Sequence, residues 1–541
     1  MLDDIGQINT RNAHDWLIAF SGGKADASAL FAENALWRDY LAFELDLQTL
    51  EGHADIAAHL PKSDFTLNPE IEAVSAQEYL FWFTGPYGPA QGLVSFESGK
   101  CTRLFTSLTK LNSEAETSNN DAPFVLIIGA GQSGLALAAR LAAASVPYLV
   151  VEAHTRIGDN WRNRYESLIL HDPVWVNHLP FKPFPETWPI FTPKDMMGDW
   201  LEGYADTLGL NVWCDCKLTD ATFDADKAQW HINLMKSGKQ MQLHVPHLVF
   251  ALGTSGFAHT PDFPGADIFA GQQMHSSAYK TGRDFTGKNV AIIGATNSAH
   301  DIAVDLVKNG AHPTLIQRSS THVVPHKVYV EKILGALYSP ELQNDLERSD
   351  FLSMSVPMRG LEAKGRALFD EVKEEWSDFF DGLTKTGFCL DFAEDGTGII
   401  GKYRRSASGY YIDVGGSQRV MDGEISVRSG VGVSALTSDS IALTDGSNID
   451  ADAVIYATGF GSMEEWVARL IDQDTADKVG RCWGYGSGYR GDPGPWEGEL
   501  RNMWKPTAQT GLWFMGGNLA QVRIYSRYLG LQLSAQYQGI T

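Results

Sequence analysis

Two stretches of the chain share one pattern, a short apolar run that leads into small residues and then into a helix-forming segment. The first run, residues 124–128, opens into Gly-Ala-Gly-Gln-Ser-Gly, and the second, residues 289–293, opens into Gly-Ala-Thr-Asn-Ser-Ala. Short apolar strands that alternate with helices are typical of parallel α/β sheets. The pattern predicts an α/β fold with two Rossmann-like dinucleotide-binding domains.

The segment ahead of the first run has a different pattern. Residues 15–20 have helical periodicity, and residues 92–96 and 102–105 have the apolar content of strands. Residues 112–123, NSEAETSNNDAP, contain no apolar residue larger than alanine and are typical of a linker. We therefore predict a small self-contained α+β domain over residues 1–111.

The order of strand and helix patterns divides the remainder of the chain. At 541 residues, the chain is long enough for three or more domains. We predict the first part of one nucleotide-binding domain at residues 124–285, a second nucleotide-binding domain at 286–459 and the C-terminal part of the first domain at 460–541. The region 322–405 has irregular helical patterning and is expected either to cap a substrate cavity or to form a surface insertion.

The net charge of the chain limits the kinds of molecule that it is expected to bind. The chain carries 43 Lys and Arg against 66 Asp and Glu, a formal net charge of -23. This charge disfavours nucleic acids and anionic membranes, because both are themselves negative. The N-terminus is acidic where a signal peptide would be basic, and no run of about 18 apolar residues occurs. We expect a cytoplasmic protein whose partners are small molecules, without membrane or nucleic acid.

The first glycine-rich turn has the residues that a bound dinucleotide requires. Gly129 permits the tight turn after the strand, Gly131 lets a pyrophosphate approach the helix N-terminus, and Gly134 lets helix and strand pack closely. The next apolar run ends about twenty residues on at Glu152, where a carboxylate accepts hydrogen bonds from a ribose hydroxyl. These features predict an FAD site that consists of Gly129, Gly131, Gln132, Ser133, Gly134 and Glu152.

The loop beyond Glu152 contains Trp161 and Arg162. An aromatic ring and a guanidinium at this point suit contact with a flavin ring or its pyrophosphate, and they equally suit packing within the loop. Both residues are candidates for the cofactor site.

The second turn is degenerate, because Thr296 and Ala299 stand where the second and third glycines would be. The strand pattern after it ends at Arg318, a cation at the position that Glu152 has in the first unit. A guanidinium with neighbouring hydroxyl groups attracts the 2′-phosphate of NADPH, whereas a carboxylate repels it. The alternative is an exposed arginine at a strand end. We predict an NADPH site that consists of Gly294, Thr296, Asn297, Ser298, Arg318 and Ser319.

The cysteines argue against two other kinds of site. Five cysteines are an odd and sparse set, which suits a reducing compartment. Cys214 and Cys216 are close in sequence, but no second Cys or His pair stands nearby, so we expect no metal site. A flavin disulfide reductase would need a cysteine pair just after the first glycine-rich turn, and no cysteine occurs between Cys101 and Cys214.

The segment between the two nucleotide motifs carries a family fingerprint. Residues 269–279, FAGQQMHSSAY, match FxGxxxHxxx(Y/F), and Thr458 and Gly459 belong to an ATG-type segment. From residue 124 to its C-terminus the chain resembles class B flavin-containing monooxygenases, chiefly the bacterial and YUCCA-type branch. Residues 1–111 resemble a nuclear-transport-factor-2-like (SnoaL-like) domain, and such a domain implies either an architectural role or a homodimer.

The resemblance implies an oxidoreductase that binds FAD and NADPH and uses O2. In such a cycle NADPH reduces the flavin, O2 adds to its C4a atom to give a peroxide, and one oxygen atom reaches a small organic substrate. We expect oxygenation of a nitrogen, sulfur or indole-type heteroaromatic centre, or, as in the YUCCA branch, oxidative decarboxylation of a 2-oxo acid such as indole-3-pyruvate. The alternatives are an NADPH oxidase that releases hydrogen peroxide and a flavin-free binding or scaffolding protein.

Two departures from family patterns bear on the substrate and on catalysis. Tyr279 and Lys280 follow the fingerprint histidine where a Baeyer–Villiger fingerprint has Trp-Pro or Trp-Asp, which disfavours ketone oxygenation. His171 stands where animal and yeast relatives have an active-site asparagine. His171 is therefore a candidate catalytic residue. Asn297, in the second turn, is another.

Three further site residues follow from the resemblance. His275 of the fingerprint is a third catalytic candidate, and a hydrogen-bonded core histidine is its alternative role. Asn518 and Gln521 lie where a returning helix meets the flavin in such proteins. The N-terminus of that helix would stabilise negative charge on the reduced ring.

Overall fold

The computed structural model describes residues 2–22, 26–62, 65–112, 122–254, 256–335 and 337–540. Within these ranges the chain forms an N-terminal α+β domain, two dinucleotide-binding domains with parallel sheets, and a largely helical middle region. The predicted linker at 112–123 lies almost wholly outside the described residues. The predicted α/β fold class is confirmed.

The N-terminal domain is one six-stranded sheet with three helices. Its strand order is β2-β1-β6-β5-β4-β3, and β1 and β6 run parallel. One face packs against α1 and α3 around an aromatic core that includes Trp16, Phe20 and Trp37. The elements are α1 Leu2–Ser21, α2 Ala27–Leu30, β1 Phe31–Tyr40, β2 Leu47–Glu51, α3 Gly52–His59, β3 Thr66–Ala73, β4 Glu78–Thr84, β5 Pro89–Glu97 and β6 Lys100–Leu108.

The first dinucleotide-binding domain is built on a five-stranded parallel sheet, β24-β13-β7-β8-β9, with an antiparallel sheet β10-β11-β12 beside it. Strand β7 consists of four buried aliphatic residues and lies inside the sheet, as its unbroken apolar run predicts. Its elements are β7 Val125–Ile128, α4 Gln132–Ala143, β8 Tyr148–Val151, α5 Asp159–Arg162, α6 Lys194–Thr207, β9 Val212–Trp213, β10 Cys216–Asp224, β11 Gln229–Lys236, β12 Lys239–Val245 and β13 His247–Phe250.

The second dinucleotide-binding domain has the parallel sheet β14-β23-β15-β16-β19 and a small antiparallel sheet β20-β21-β22. Strand β14 precedes the predicted boundary between residues 285 and 286, and it pairs with β23 of this second sheet. Its elements are β14 Gln272–His275, β15 Asn289–Ile293, α7 Asn297–Lys308, β16 His312–Gln317, β19 Ser426–Ser429, β20 Val433–Leu436, β21 Ser440–Leu443, β22 Asn448–Asp450 and β23 Ala453–Tyr456.

The middle region, residues 322–421, leaves the second sheet between β16 and β19. It packs as helices over the junction of the two dinucleotide-binding domains, and a two-stranded parallel sheet, β17 with β18, ties it together. Its elements are β17 His322–Pro325, α8 His326–Val328, α9 Leu346–Met354, α10 Met358–Glu375, α11 Ser377–Lys385, α12 Gly398–Ser406, β18 Tyr410–Asp413 and α13 Gly416–Met421.

The C-terminal segment returns to the first sheet. Strand β24 pairs with β13, and the long helix α16 packs against α4. Residues 464–540 thereby complete the first dinucleotide-binding domain. The elements are α14 Glu464–Leu470, α15 Gln473–Val479, β24 Leu512–Phe514 and α16 Leu519–Tyr537.

Candidate active site

A cavity of about 490 Å³ lies where both dinucleotide-binding domains, the middle region and helix α16 meet. We call it the central cavity. Its lining includes Gln132 from the first glycine-rich turn, Asn297 and Ser298 from the second, and Asn518 at the start of α16. The middle region caps this cavity, since residues of α9, α10 and α12 line it. Two predicted nucleotide sites therefore converge on one space.

The first turn is shaped for a pyrophosphate. Gly129 has a φ of 103°, and a Cβ there would lie 2.8 Å from the carbonyl oxygen of Ala251. A Cβ on Gly134 would lie 1.9 Å from the carbonyl oxygen of Gly129, so only glycine allows α4 to start so close to β7. Helix α4 begins after Gly131 without any side-chain cap. Its first N–H groups are therefore available to an anion.

Glu152 lies at the end of β8 and is buried, with 8% of its surface exposed. Oε2 accepts from the Ala130 N–H at 2.9 Å, and Oε1 accepts from the His154 N–H at 2.9 Å. Nδ1 of the His154 ring lies 2.7 Å from Oε1. These bonds fix the carboxylate beside the glycine-rich turn, where a ribose of a dinucleotide lies in this fold. The Glu152 carboxylate and the glycine-rich turn both fit FAD.

The structure separates the candidates Trp161 and Arg162, which both lie in the short helix α5. The Trp161 ring lines the central cavity, and its Nε1–H donates to Gln132 Oε1 at 3.3 Å. The Arg162 guanidinium forms ion pairs with Asp159, Asp199 and Glu202. Arg162 is not among the residues that line the cavity. Its charge is committed within the protein, and the packing role is the one that its contacts support.

The second turn has the same shape as the first. A Cβ on Gly294 would lie 2.3 Å from the carbonyl oxygen of Ala457. Thr296 precedes α7, and its hydroxyl makes no capping bond to that helix. Arg318 is exposed at the end of β16, next to the exposed Ser319, and within the described ranges it forms no hydrogen bond or ion pair. These residues fit a dinucleotide with a 2′-phosphate.

His171 lines the central cavity opposite the start of α7. Its Nε2 lies 3.6 Å from Asp301 Oδ2, which also accepts from the Tyr165 hydroxyl at 2.7 Å. Burial by itself lowers the pKa of His171, but the carboxylates of Asp301 and Asp172 outweigh it and raise that pKa above its ordinary value. The imidazole can thus hold a proton inside the cavity.

Asn297, Asn518 and Gln521 also line the cavity. Asn297 Oδ1 accepts from the Ile412 N–H at 2.9 Å, which fastens β18 of the middle region to the second turn. Asn518 and Gln521 cap the N-terminus of α16 reciprocally, each side chain accepting from the other's backbone N–H. The Tyr403 hydroxyl donates to Gln521 Oε1. All three residues hold cavity walls together.

His275 is placed elsewhere. Its ring is 9% exposed and does not line the central cavity. Nε2 lies 2.9 Å from the carbonyl oxygen of Gly459, and Nδ1 accepts from the Ser277 N–H at 3.2 Å. Burial lowers the pKa of His275, so the neutral ring with hydrogen on Nε2 is favoured. These contacts support the alternative role, a hydrogen-bonded core histidine that links β14 to the segment after β23.

The ATG-type segment, residues 457–459, directly follows β23 and is the segment that His275 contacts. Thr458 donates its hydroxyl to the carbonyl oxygen of His259, and Gly459 has a φ of 82°. The preceding Ala457 is the residue that approaches Gly294 so closely. Thr458 and Gly459 therefore lie next to the second nucleotide turn without lining the central cavity.

Arg404, in the last turn of α12, is a cavity residue that the sequence pattern did not single out. Within the described part of the chain it forms one hydrogen bond, from Nη1 to the carbonyl oxygen of Ile400 at 3.1 Å, and no ion pair. Burial lowers its pKa, but a guanidinium stays charged. The next residue, Arg405, contrasts with it by binding both Glu362 and Asp395. Arg404 thus presents an uncompensated positive charge to the cavity.

Known proteins of similar sequence identify the family of this chain. The chain is 31% identical over 361 residues to the indole-3-pyruvate monooxygenase YUCCA1 of Oryza sativa subsp. japonica, a match that covers 66% of this chain and 82% of that protein. The chain belongs to the flavin-dependent monooxygenase family. It is also 29% identical over 340 residues to the indole-3-pyruvate monooxygenase YUCCA6 of Arabidopsis thaliana, covering 62% of this chain and 76% of that protein. A family model described as pyridine nucleotide-disulphide oxidoreductase matches residues 126–355.

Solved structures share the fold of this flavin monooxygenase. The open cyclohexanone monooxygenase has a TM-score of 0.54 at 16% identity, covering 78% of this chain and 89% of that one. The flavin-containing monooxygenase of Stenotrophomonas maltophilia has a TM-score of 0.51 at 18% identity, covering 77% and 99%. The matched residues leave the N-terminal domain outside the family model.

The family membership fixes the general reaction. The protein is a flavin- and pyridine-nucleotide-dependent oxidoreductase that inserts an oxygen atom from O2 into a small organic substrate. Among the described residues, no helix is long and apolar enough to cross a membrane. Three or more metal-binding side chains do not cluster anywhere in the same ranges.

Proposed function

We propose that this monooxygenase acts on a small 2-oxo acid with an aromatic or aliphatic side chain and converts it by oxidative decarboxylation. The observation that carries the proposal is the uncompensated charge of Arg404 in the central cavity. A guanidinium is the side chain best suited to bind a carboxylate, through two parallel N–H bonds. The relatives named as indole-3-pyruvate monooxygenases support the same class of substrate.

The remaining walls of the cavity suit the rest of such a substrate. Around Arg404 lie apolar side chains from the middle region and tyrosine rings from several elements. Apolar and aromatic walls with one placed charge are typical of small-molecule sites. The walls include Ile333, Leu334, Leu361, Ile399, Ile412, Tyr329, Tyr410 and Tyr525.

We assign the cofactors to the two turns. Gly129, Gly131, Gly134 and Glu152 would hold FAD, and Trp161 and Asn518 are the cavity residues that would contact it. Arg318 would hold the 2′-phosphate of NADPH beyond the second turn. When bound, FAD reduced by NADPH supplies the activation of O2. The chain supplies binding, orientation and exclusion of water.

The overall reaction balances. A 2-oxo acid, O2, NADPH and one proton give an acid shorter by one carbon, CO2, water and NADP. The bond between the oxo carbon and the carboxyl carbon breaks, one oxygen atom enters the new acid, and the other leaves as water. His171, whose Nε2 lies 3.6 Å from Asp301 Oδ2, would supply a proton within the cavity.

The test is a substrate panel with complete stoichiometry. FAD-loaded protein is given NADPH and isotopically labelled O2 with 2-oxo acids, with amines and with sulfides of similar size. NADPH loss, CO2, hydrogen peroxide and product mass are measured together. We expect equimolar CO2 and a labelled acid from at least one 2-oxo acid. Labelled amine or sulfide oxides without CO2 would contradict the proposal in favour of a soft nucleophile, and peroxide alone with every compound would favour an NADPH oxidase.

A further inference from the structure

We infer that the N-terminal domain is a fixed wall of the central cavity. Arg38 is the residue through which this domain positions the middle region over the cavity. Arg38 lies in β1, yet it lines the cavity and is only 2% exposed. A residue of the N-terminal domain thus reaches a site that both dinucleotide-binding domains build. The inference concerns water exclusion and holds for any class of substrate.

Arg38 joins three parts of the chain. Nε and Nη2 each bind a carboxylate oxygen of Glu499, in the segment ahead of β24, at 2.7 Å. Nη1 donates to the carbonyl oxygens of Met354 at 2.7 Å and Val356 at 3.2 Å. Glu499 is 4% exposed and accepts further bonds from Tyr40 and Thr49 of the N-terminal domain. The two charges are therefore paired, and four of the five guanidinium N–H groups of Arg38 have acceptors.

The two carbonyl groups lie at the corner where α9 ends and α10 begins. Met354, Met358 and Leu361, on either side of this corner, all line the cavity. A helix end with unpaired carbonyls would otherwise need water or a cap. Arg38, which lies outside the middle region, supplies the hydrogen-bond donors for these carbonyl groups. Its position therefore sets the position of the apolar wall over the cavity.

The rest of the interface holds Arg38 rigidly in place. The sheet face of the N-terminal domain that faces away from its own aromatic core packs on α16 and α9. The Tyr40 ring lies 4.9 Å from that of Tyr528, and the Phe105 ring lies 4.9 Å from that of Phe351. Residues of β1, β5 and β6 belong to the same apolar core as the first dinucleotide-binding domain. An interface of this kind resists relative motion of the domains.

A fixed wall matters for this chemistry because water and open space favour peroxide release over transfer of oxygen to the substrate. Loosening the corner between α9 and α10 should admit water without disturbing either nucleotide turn. The expected signature is uncoupling: NADPH consumption continues, while the product formed per NADPH falls.

The test uses Arg38→Lys and the paired Arg38→Met/Glu499→Met variant in the full chain loaded with FAD. Lysine can keep the ion pair with Glu499 but cannot also donate to Met354 and Val356. The paired variant removes both members of this ion pair, so neither is left buried without the other, which protects folding. Arg283→Gln, which breaks the exposed pair with Glu166 away from this interface, is the control.

Two readouts decide the outcome. We expect hydrogen exchange of the amides in residues 346–361 to rise, and peroxide per NADPH to rise several-fold, in both Arg38 variants, with FAD content and the KM for NADPH unchanged. The control should match the unmodified protein in both readouts. Unchanged exchange and coupling in either folded Arg38 variant would overturn the inference. If Arg38→Lys does not fold, the paired variant decides alone.

Discussion

His171 Nε2 and Asp301 Oδ2 lie 3.6 Å apart in the lining of the central cavity, and Asp301 Oδ2 also accepts a hydrogen bond from the Tyr165 hydroxyl. His171 comes from the loop after α5, whereas Asp301 lies in the second turn of α7. The contact therefore connects the first dinucleotide-binding domain to the second within the central cavity.

The raised pKa of His171 makes this contact dependent on pH. A raised pKa in the folded state stabilises the protein fully below the unfolded value of about 6.5, and this stabilisation is lost as pH rises through the folded value. His171→Gln should therefore lower the melting temperature more at about pH 6 than at about pH 9. Thermal unfolding at both pH values measures this, with the exposed His312→Gln as control. An equal loss at both pH values would contradict a protonated His171.

Arg318 offers a test of cofactor choice. Arg318→Ala should raise the KM for NADPH on the order of 10- to 100-fold, because a charge-assisted bond to the 2′-phosphate is lost. The KM for NADH should change little. Steady-state NADPH and NADH oxidation measure both values. An equal loss for the two nucleotides would refute a role in phosphate binding.

Arg404 offers a test of substrate choice. Arg404→Met should raise the KM for a 2-oxo acid on the order of 10- to 100-fold and leave the rate with its uncharged ester nearly unchanged, because only the acid loses an ion pair. Arg404→Lys should restore part of the affinity. The matched control is Arg366→Gln, which lies on the exposed face of α10. An identical effect on acid and ester would show that Arg404 supports the cavity rather than binding the carboxylate.

Two of the three glycines of the first turn, Gly131 and Gly134, should behave differently. Gly134→Ala forces a Cβ against the carbonyl of Gly129 and should destabilise the protein by about 1–3 kcal/mol. Gly131→Ala meets only Asn160 Nδ2 at 3.2 Å, so the protein should fold and lose FAD affinity instead. Thermal unfolding and absorbance near the flavin band separate the two. A stable Gly134→Ala protein with normal flavin content would contradict the packing argument.

His275 should matter for stability rather than for chemistry. His275→Ala removes the bonds to Gly459 and Ser277 and should cost about 1–3 kcal/mol. The turnover per flavin should stay close to that of the unmodified protein. Calorimetry together with NADPH oxidation normalised to bound FAD measures both. A loss of turnover without a loss of stability would restore His275 as a catalytic candidate.

The nucleotide turns could be predicted because their chemistry is local. Strand, glycines, helix and terminal charge follow each other within about thirty residues, and steric limits on each glycine leave few alternatives. The same reasoning did not separate Trp161 from Arg162, which are adjacent in sequence. The carboxylates that bind the Arg162 guanidinium include Asp199 and Glu202 of α6, and no local pattern connects them to the loop.

The sequence by itself determined two dinucleotide-binding units, the difference in charge between Glu152 and Arg318, and membership of a redox family. Only the tertiary structure decided which side chains enter the cavity. Arg38 and Glu499 are 461 positions apart and meet at 2.7 Å, and Arg404 differs from Arg405 only in what surrounds it. The physical reason is that the partners of a buried charge come from distant segments, so its role is fixed by packing and not by neighbouring residues.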